Sequence, residues 1–379
     1  MMEKYKILLD TDIGDDIDDA LALALALEMP EMELVGVTTV FQNTEKRARI
    51  ARKMLSLWGR DVPVYAGIAL GEKAGMPYAQ TPCQYTPELD SPEYAPCNVP
   101  AEDEEMGAVD FLIRSAEQFG PELTIVAIGP LTNIARAIQK APQSMRRVQR
   151  IVLMGGSFQR QFREWNIVCD PLSAKRVMEF EGEVVCIGLD VTSQTRLSRR
   201  QHEMLLGAKG DEKRAYLSRL VELYTASTGN TPILHDPLTV YYVAHPEILL
   251  TEPTLVQVET EGTLTRGMTV NVDQLYEYLP HELEGARCLW QRLCGPESLL
   301  PTLCGSCCNC PDFISMKERD FHEKTTRHSF GGFDGRFASY GLQRAGRRPF
   351  GRRTADTQAL YHQRQLQRGR NQGFGMESH

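Results

Sequence analysis

The chain opens on an apolar run, Ile7-Leu8-Leu9, passes through six aspartates in ten residues, and enters Ala20-Leu21-Ala22-Leu23-Ala24-Leu25-Ala26-Leu27. The first run predicts a short buried strand. The second, made of strong helix formers, predicts a buried helix. Gly14 lies between them, where a sharp strand-to-helix turn favours a residue without a side chain. The same alternation recurs. Strands are predicted at 33–40, 62–66, 123–128, 151–154, 184–189, 254–259 and 266–270, and helices at 45–58, 106–119, 199–206 and 211–227 and from after Asn133 to about 140. Asp170-Pro171 reads as a helix cap followed by proline at the first helical position. Residues 68–103 are rich in Pro, Gly and Tyr without periodicity, and loops of that length are functional or disordered.

Strands alternating with helices predict an α/β fold, a mostly parallel central sheet flanked by helices. Asp12, Asn43, Thr132 and the segment after Gly156 each follow the carboxyl end of a predicted strand. In a parallel sheet these ends share one edge, where open α/β folds place their ligands.

Charge divides the chain. The net charge of −8 hides +7 in residues 285–379 and −15 in residues 1–284, and the later part holds six of the ten cysteines. The four in the first part are scattered, as reduced thiols would be. Two regions are therefore expected: a catalytic domain over 1–284 and a divergent Cys/Arg-rich tail over 285–379. Cys304-x-x-Cys307-Cys308-x-Cys310 lacks the second pair a zinc knuckle needs. A shifted reading frame near Arg287 would produce such an aperiodic run, frame-shifted or disordered. No apolar run approaches the ~20 residues of a membrane helix, and no secretory signal is visible. A cytoplasmic protein with neither a membrane nor a nucleic-acid partner is expected.

The aspartates carry the chemistry. Carboxylates crowded into one turn disfavour each other's ionisation unless a cation lies among them. Oxygen ligands without nearby His or Cys point to Ca²⁺ or Mg²⁺. Acids at a helix amino terminus account for Asp18 and Asp19, but not for Asp10 and Asp12 on the strand side.

These residues resemble the inosine–uridine-type nucleoside hydrolases. The matching elements are Asp10-Thr11-Asp12-Ile13-Gly14…Asp18-Asp19-Ala20, Thr38-Thr39-Val40…Asn43, Gly129-Pro130-Leu131-Thr132-Asn133, Met154-Gly155-Gly156, Glu164-Trp165-Asn166 and His235-Asp236-Pro237, in the family's order across about residues 5–271. The resemblance implies a Rossmann-like sheet and hydrolysis of the N-glycosidic bond of ribonucleosides to base and ribose, as in nucleoside catabolism and purine salvage. It also implies a Ca²⁺ ion ligated by Asp12, Asp19, the Thr132 carbonyl and Asp236. Asp12 would also be the general base, and His235 would stand near the leaving base as a candidate acid. Asp18, Asn43, Glu164 and Asn166 would hold the sugar, with Trp165 beside it. Relatives are often homodimers or homotetramers, so a homo-oligomer is implied.

Two departures stand out. The span from Asp12 to Asp18-Asp19 is two residues longer than the shortest family form, so counting from the front selects Asp16, whereas the Asp-Asp-Ala step selects Asp18. The loop between Gly156 and Glu164 lacks the asparagine expected at the 5′-hydroxyl; Gln159 or Gln161 could replace it. Two other classes remain open: a haloacid-dehalogenase-like phosphatase using Asp10 and Asp12, opposed by Gly14, and a catalytically impaired nucleoside binder.

Overall fold

The computed structural model describes residues 4–69, 81–97, 107–207, 210–275 and 287–293. In chain order the elements are β1 (Tyr5–Thr11), α1 (Asp18–Glu28), β2 (Met32–Thr39), α2 (Thr44–Leu57), β3 (Val64–Ala66), α3 (Gly107–Phe119), β4 (Leu123–Ala127), α4 (Thr132–Lys140), α5 (Pro142–Met145) and β5 (Arg150–Met154). Then come α6 (Trp165–Cys169), α7 (Pro171–Met178), β6 (Val184–Ile187), α8 (Leu189–Thr192), α9 (Arg199–Leu206), α10 (Glu212–Thr228), α11 (His235–Ala244), β7 (Leu249–Val258), β8 (Thr269–Asn271), α12 (Val272–Leu275) and β9 (Arg287–Leu293). All belong to one compact unit, Met1–Cys310.

The strands form one sheet in the order β3-β2-β1-β4-β5-β6-β9-β7-β8. From β3 to β9 neighbours are parallel, and β7 and β8 return antiparallel. The first six strands thus follow the doubly wound order 3-2-1-4-5-6, which reverses between β1 and β4. Parallel strands covered on both faces must be apolar on both. Accordingly Ile7 and Leu9 pack on one side of β1 and Leu8 on the other, all three wholly buried. α1 and α11 cover one face and α3, α4 and α7 the other. α1 is buried from Asp18 to Leu27, as expected of a helix apolar on every side.

The sheet extends past residue 284, because β9 enters it between β6 and β7. β9 lies within the 285–379 region that the sequence pattern assigns to the tail. β7 also starts at Leu249 rather than 254. Pro253 lies within it and cannot donate to a ladder, but β8 pairs only with Val256–Val258, so at Pro253 the strand has β9 alone beside it. The cysteine cluster at 304–310 and the arginine-rich run lie outside the described residues. No helix among the described residues is long and apolar enough to cross a membrane.

Candidate active site

The acidic loop leaves β1 where the strand order reverses, the crevice of a doubly wound sheet. Gly14 has φ +131°, and a Cβ there would come within 2.7 Å of the Pro82 side chain. A Cβ on Gly129, after β4, would lie 2.9 Å from the Asp12 carboxylate. These two glycines let neighbouring chain close on the loop from both sides. Asn133 stitches the strand ends: its Nδ2 donates to Asp10 Oδ2 at 2.7 Å and to the Thr39 carbonyl at 3.0 Å, while its Oδ1 accepts from Ile68 N at 3.0 Å. Thr38 Oγ1 also donates to Asp10 Oδ2, at 2.6 Å.

Asp18 and Asp19 start α1, and Asp236, in the first turn of α11, meets them from more than two hundred residues away. One carboxylate oxygen from each lies within 4.8 Å of the others, and all three side chains are buried. Asp19 accepts from Thr11 Oγ1 at 2.5 Å, and Asp18 from Asp236 N at 3.3 Å. Arg47, the guanidinium against this loop, is turned to Asp15 at 2.7 Å. Burial pushes the Asp18, Asp19 and Asp236 carboxyls well above the usual range, and repulsion from neighbouring acids, Asp16 among them in every case, pushes them further. Asp12 lies close enough for its charge to raise Asp19 and Asp236. Its own carboxyl is pushed up to about 6 by burial, against the pull of Arg47. A hard divalent cation fits this donor set: oxygen ligands at about 2.3–2.6 Å from one ion can stand up to ~5 Å apart.

The other residues singled out from sequence stand at the starts of helices or in the loops that precede them. Asp16 is exposed; it accepts from Ile17 N at 2.7 Å and is hydrogen-bonded to Asp18, which is the buried member of the pair. Asn43 occupies the N-cap of α2 without capping it by its side chain. Thr132 opens α4 and donates Oγ1 to Asp170 Oδ2 at 2.8 Å; Asp170 also accepts from Ser173 N, so one carboxylate caps α7 and anchors α4. Glu164 is buried and accepts from the N–H groups of Asn166, Ile167 and Gly156 at 2.9–3.3 Å. Burial nonetheless pushes its carboxyl to about 7. Asn166 donates Nδ2 to the carbonyls of Ile128 and Met154, both at 3.1 Å, joining the ends of β4 and β5. Trp165 is 53% exposed and stands edge-on to Phe41, ring centroids 6.4 Å apart. His235 meets Thr192 Oγ1 at 2.7 Å through Nδ1, and burial, with Arg196 nearby, pulls its pKa to about 4.

Sequence reading missed several supports. Asp190, buried, accepts from Phe158 N at 2.6 Å and Gln159 N at 3.2 Å and fixes the loop after β5. Gln84, wholly buried, donates Nε2 to the Asp16 carbonyl at 2.7 Å. Its segment belongs to the long loop, and nothing in its composition marks it. Arg47 does carry a signal: it shares the apolar stripe of α2 with Ile50, Ala51 and Met54, spaced as one helix face.

The metal-free protein is expected to lose stability as pH rises. Asp10, pushed to about 7 by burial, Asp12 at about 6 and Glu164 at about 7 all have higher pKa values folded than unfolded. The folded state therefore binds more protons between about pH 4 and 7, and the stabilisation, complete near pH 4, disappears across that window. His235 acts oppositely, gaining from pH 4 to 6.5, but is outnumbered. Thermal melts of chelated protein should show midpoints falling by on the order of 5–10 °C from about pH 5 to 7.5. A flat or rising profile would contradict the burial of these acids.

A doubly wound sheet with buried carboxylates gathered at its switch point defines an α/β enzyme with a metal-competent site. Comparison makes the class specific. The family model described as inosine-uridine preferring nucleoside hydrolase matches residues 7–292, and the chain belongs to this family of ribonucleoside hydrolases. It is 37% identical over 282 residues to an uncharacterized protein of Schizosaccharomyces pombe, covering 70% of this chain and 88% of that one. It is 34% identical over 287 residues to the non-specific ribonucleoside hydrolase RihC of Klebsiella pneumoniae, with the same coverage. Among solved structures, the purine-preferring ribonucleoside hydrolase from Gardnerella vaginalis superposes with a TM-score of 0.62 at 29% identity, over 79% of this chain and 96% of that one.

Proposed function

We propose that the chain hydrolyses the N-glycosidic bond of ribonucleosides to free base and ribose, with Asp12 as the general base and a calcium ion held by Asp12, Asp19, Asp236 and the Thr132 carbonyl. The observation that supports this most is the meeting of Asp18, Asp19 and Asp236 in a buried group at the crevice of the sheet. When bound, the ion would supply charge that grips the vicinal ribose hydroxyls and acidifies a water. Asp12 takes the proton from that water. The water oxygen bonds to C1′ as the bond from C1′ to the base nitrogen breaks, and the electron pair leaves with the base. Positive charge develops on the sugar ring, and the carboxylate of Asp18 stabilises it.

Asn43 and Asn166 complete the sugar contacts. Asn166 has its Nδ2 engaged with two carbonyls, so Oδ1 is the atom that meets a hydroxyl. Glu164 serves by setting α6 and through its remaining lone pairs. Trp165 covers the sugar from solvent. His235, with a pKa of about 4, is neutral at pH 7. In the tautomer in which the Thr192 hydroxyl donates to Nδ1, Nε2–H offers the leaving base a hydrogen bond rather than a stored proton. A cytoplasmic homo-oligomer is part of the same reading.

A panel of ribonucleosides assayed for free ribose, with and without chelator, tests this. Base and ribose are expected in equal amounts, and activity should fall on chelation and return with calcium. Phosphate release from nucleotides without base release would favour the phosphatase instead, and tight binding without turnover the impaired binder.

A further inference from the structure

Arg47 is wholly buried, and burying a guanidinium is unfavourable unless its donors are met. Here four of its five N–H donors are met, and every one of these bonds goes to a loop at the carboxyl edge of the sheet. Nε donates to the Phe41 carbonyl at 2.8 Å. One terminal nitrogen donates to the carbonyls of Asp12 and, at 3.1 Å, Ile13. The other donates to Asp15 Oδ2 at 2.7 Å. The guanidinium carbon also lies 5.9 Å from the centroid of the Phe41 ring.

The two loops so joined need joining. Phe41 and Gln42 have φ of +72° and +54°, a left-handed backbone that non-glycine residues hold only where the surroundings enforce it. That turn delivers Asn43. The other loop delivers Asp12, and a third group of contacts closes on it from outside: Gln84 N donates to the Gly14 carbonyl at 2.9 Å, Gln84 Nε2 to the Asp16 carbonyl, and Cys83 N to Asp15 Oδ1 at 3.4 Å. Asp15 is thus shared between the buried guanidinium and the 81–97 segment. Arg47 is the piece common to the loop bearing the base and the loop bearing a sugar contact.

We infer that Arg47 is a positioning residue for the reaction: through the Asp12, Ile13 and Phe41 carbonyls it sets the placement of Asp12 and Asn43 relative to each other, with Asp15 as its outer anchor. The inference rests on the function proposed above. Lysine cannot replace it, because an ammonium is a point donor that cannot span three carbonyls and a carboxylate lying in different directions. Arg47 touches neither water nor sugar; it acts through the main chain of the residues that do.

The test compares wild type, Arg47→Lys and Asp15→Asn at a temperature well below each thermal midpoint. The readouts are kcat and KM for the best ribonucleoside of the panel at saturating calcium, and calcium affinity by calorimetry on the metal-free proteins. Arg47→Lys should lower kcat by about 30- to 300-fold with KM changed less than ~3-fold, since a misplacement near 1 Å costs about 10²-fold in rate. Its calcium affinity should weaken by roughly 10-fold. Asp15→Asn, whose side chain is 53% exposed and whose replacement leaves the carbonyl contacts in place, should show the same pattern at about 3- to 10-fold. Wild-type kcat and calcium affinity in Arg47→Lys, whatever its thermal midpoint, would overturn the inference by reducing Arg47 to core filling. Should Arg47→Lys not fold, wild-type values in Asp15→Asn would overturn it equally. A wild-type enzyme that releases no base from any ribonucleoside would instead sink the proposed function, and the calorimetric comparison would still read the effect of Arg47 on the loop.

Discussion

Asp12→Ala should lower kcat for ribonucleoside hydrolysis by on the order of 10³-fold or more while leaving the fold intact. A positioned general base contributes about 10²–10⁴-fold, and the same carboxylate is proposed to help hold the metal, so both contributions go together. The fold should tolerate the change because Asp12 stands beyond the last residue of β1 and burial already pushes its carboxyl up to about 6. Removing it relieves repulsion on Asp19 and Asp236. The informative measurement is single-turnover base release at saturating calcium, beside a melt of the metal-free protein. Wild-type turnover in Asp12→Ala would end the assignment. Loss of turnover together with collapse of the melt would mean that Asp12 serves the fold instead.

The second large effect concerns Asp236→Asn. Intuition says that changing a buried acid destabilises. Here the metal-free variant should melt higher than metal-free wild type at pH 7.5, because three carboxylate oxygens within 4.8 Å become two and like charges in a dry site repel. With calcium the order should invert. Wild type gains stability by mass action from a ligand that binds only the folded state, about 2.7 kcal/mol at a hundredfold excess over Kd; the variant should gain almost nothing. Melts of both proteins, each with chelator and with millimolar calcium, decide it. A calcium-induced shift in Asp236→Asn equal to that of wild type would remove Asp236 from the ligand set.

How much of this was legible follows from where the information resides. β1, β4, β5 and β6 are each built around a run of three or more apolar residues, so local pattern suffices to find them. β9 is Arg287-Cys288-Leu289-Trp290-Gln291-Arg292-Leu293, mixed in polarity and set beside a basic, cysteine-rich segment; only its partners β6 and β7 mark it as a strand. The acidic loop announced itself through its density of like charge, and His235-Asp236 through the family pattern. That Asp236 meets Asp18 and Asp19 is a tertiary fact that no spacing encodes. Arg47 stands in sequence among Lys46, Arg49, Arg52 and Lys53, where its charge alone does not set it apart. Its place on the apolar stripe was the discriminating clue. The state of His235 depended on burial and on Arg196, across a bridge to Ile233, which periodicity cannot report.

The placement of β9 sets an order of events during synthesis. A ribosome delivers β6 a hundred residues before β9, and β7 and β8 also emerge earlier, yet β9 must insert between them. Until it does, the nascent sheet carries a raw hydrogen-bonding margin at β6 and a detached hairpin made of β7 and β8. Both are surfaces on which unfinished chains adhere to one another. Among the described residues the last strand made is therefore the one that joins β6 to the β7–β8 pair, and a polypeptide halted shortly before residue 287 would own every carboxylate of the acidic cluster while leaving that margin open.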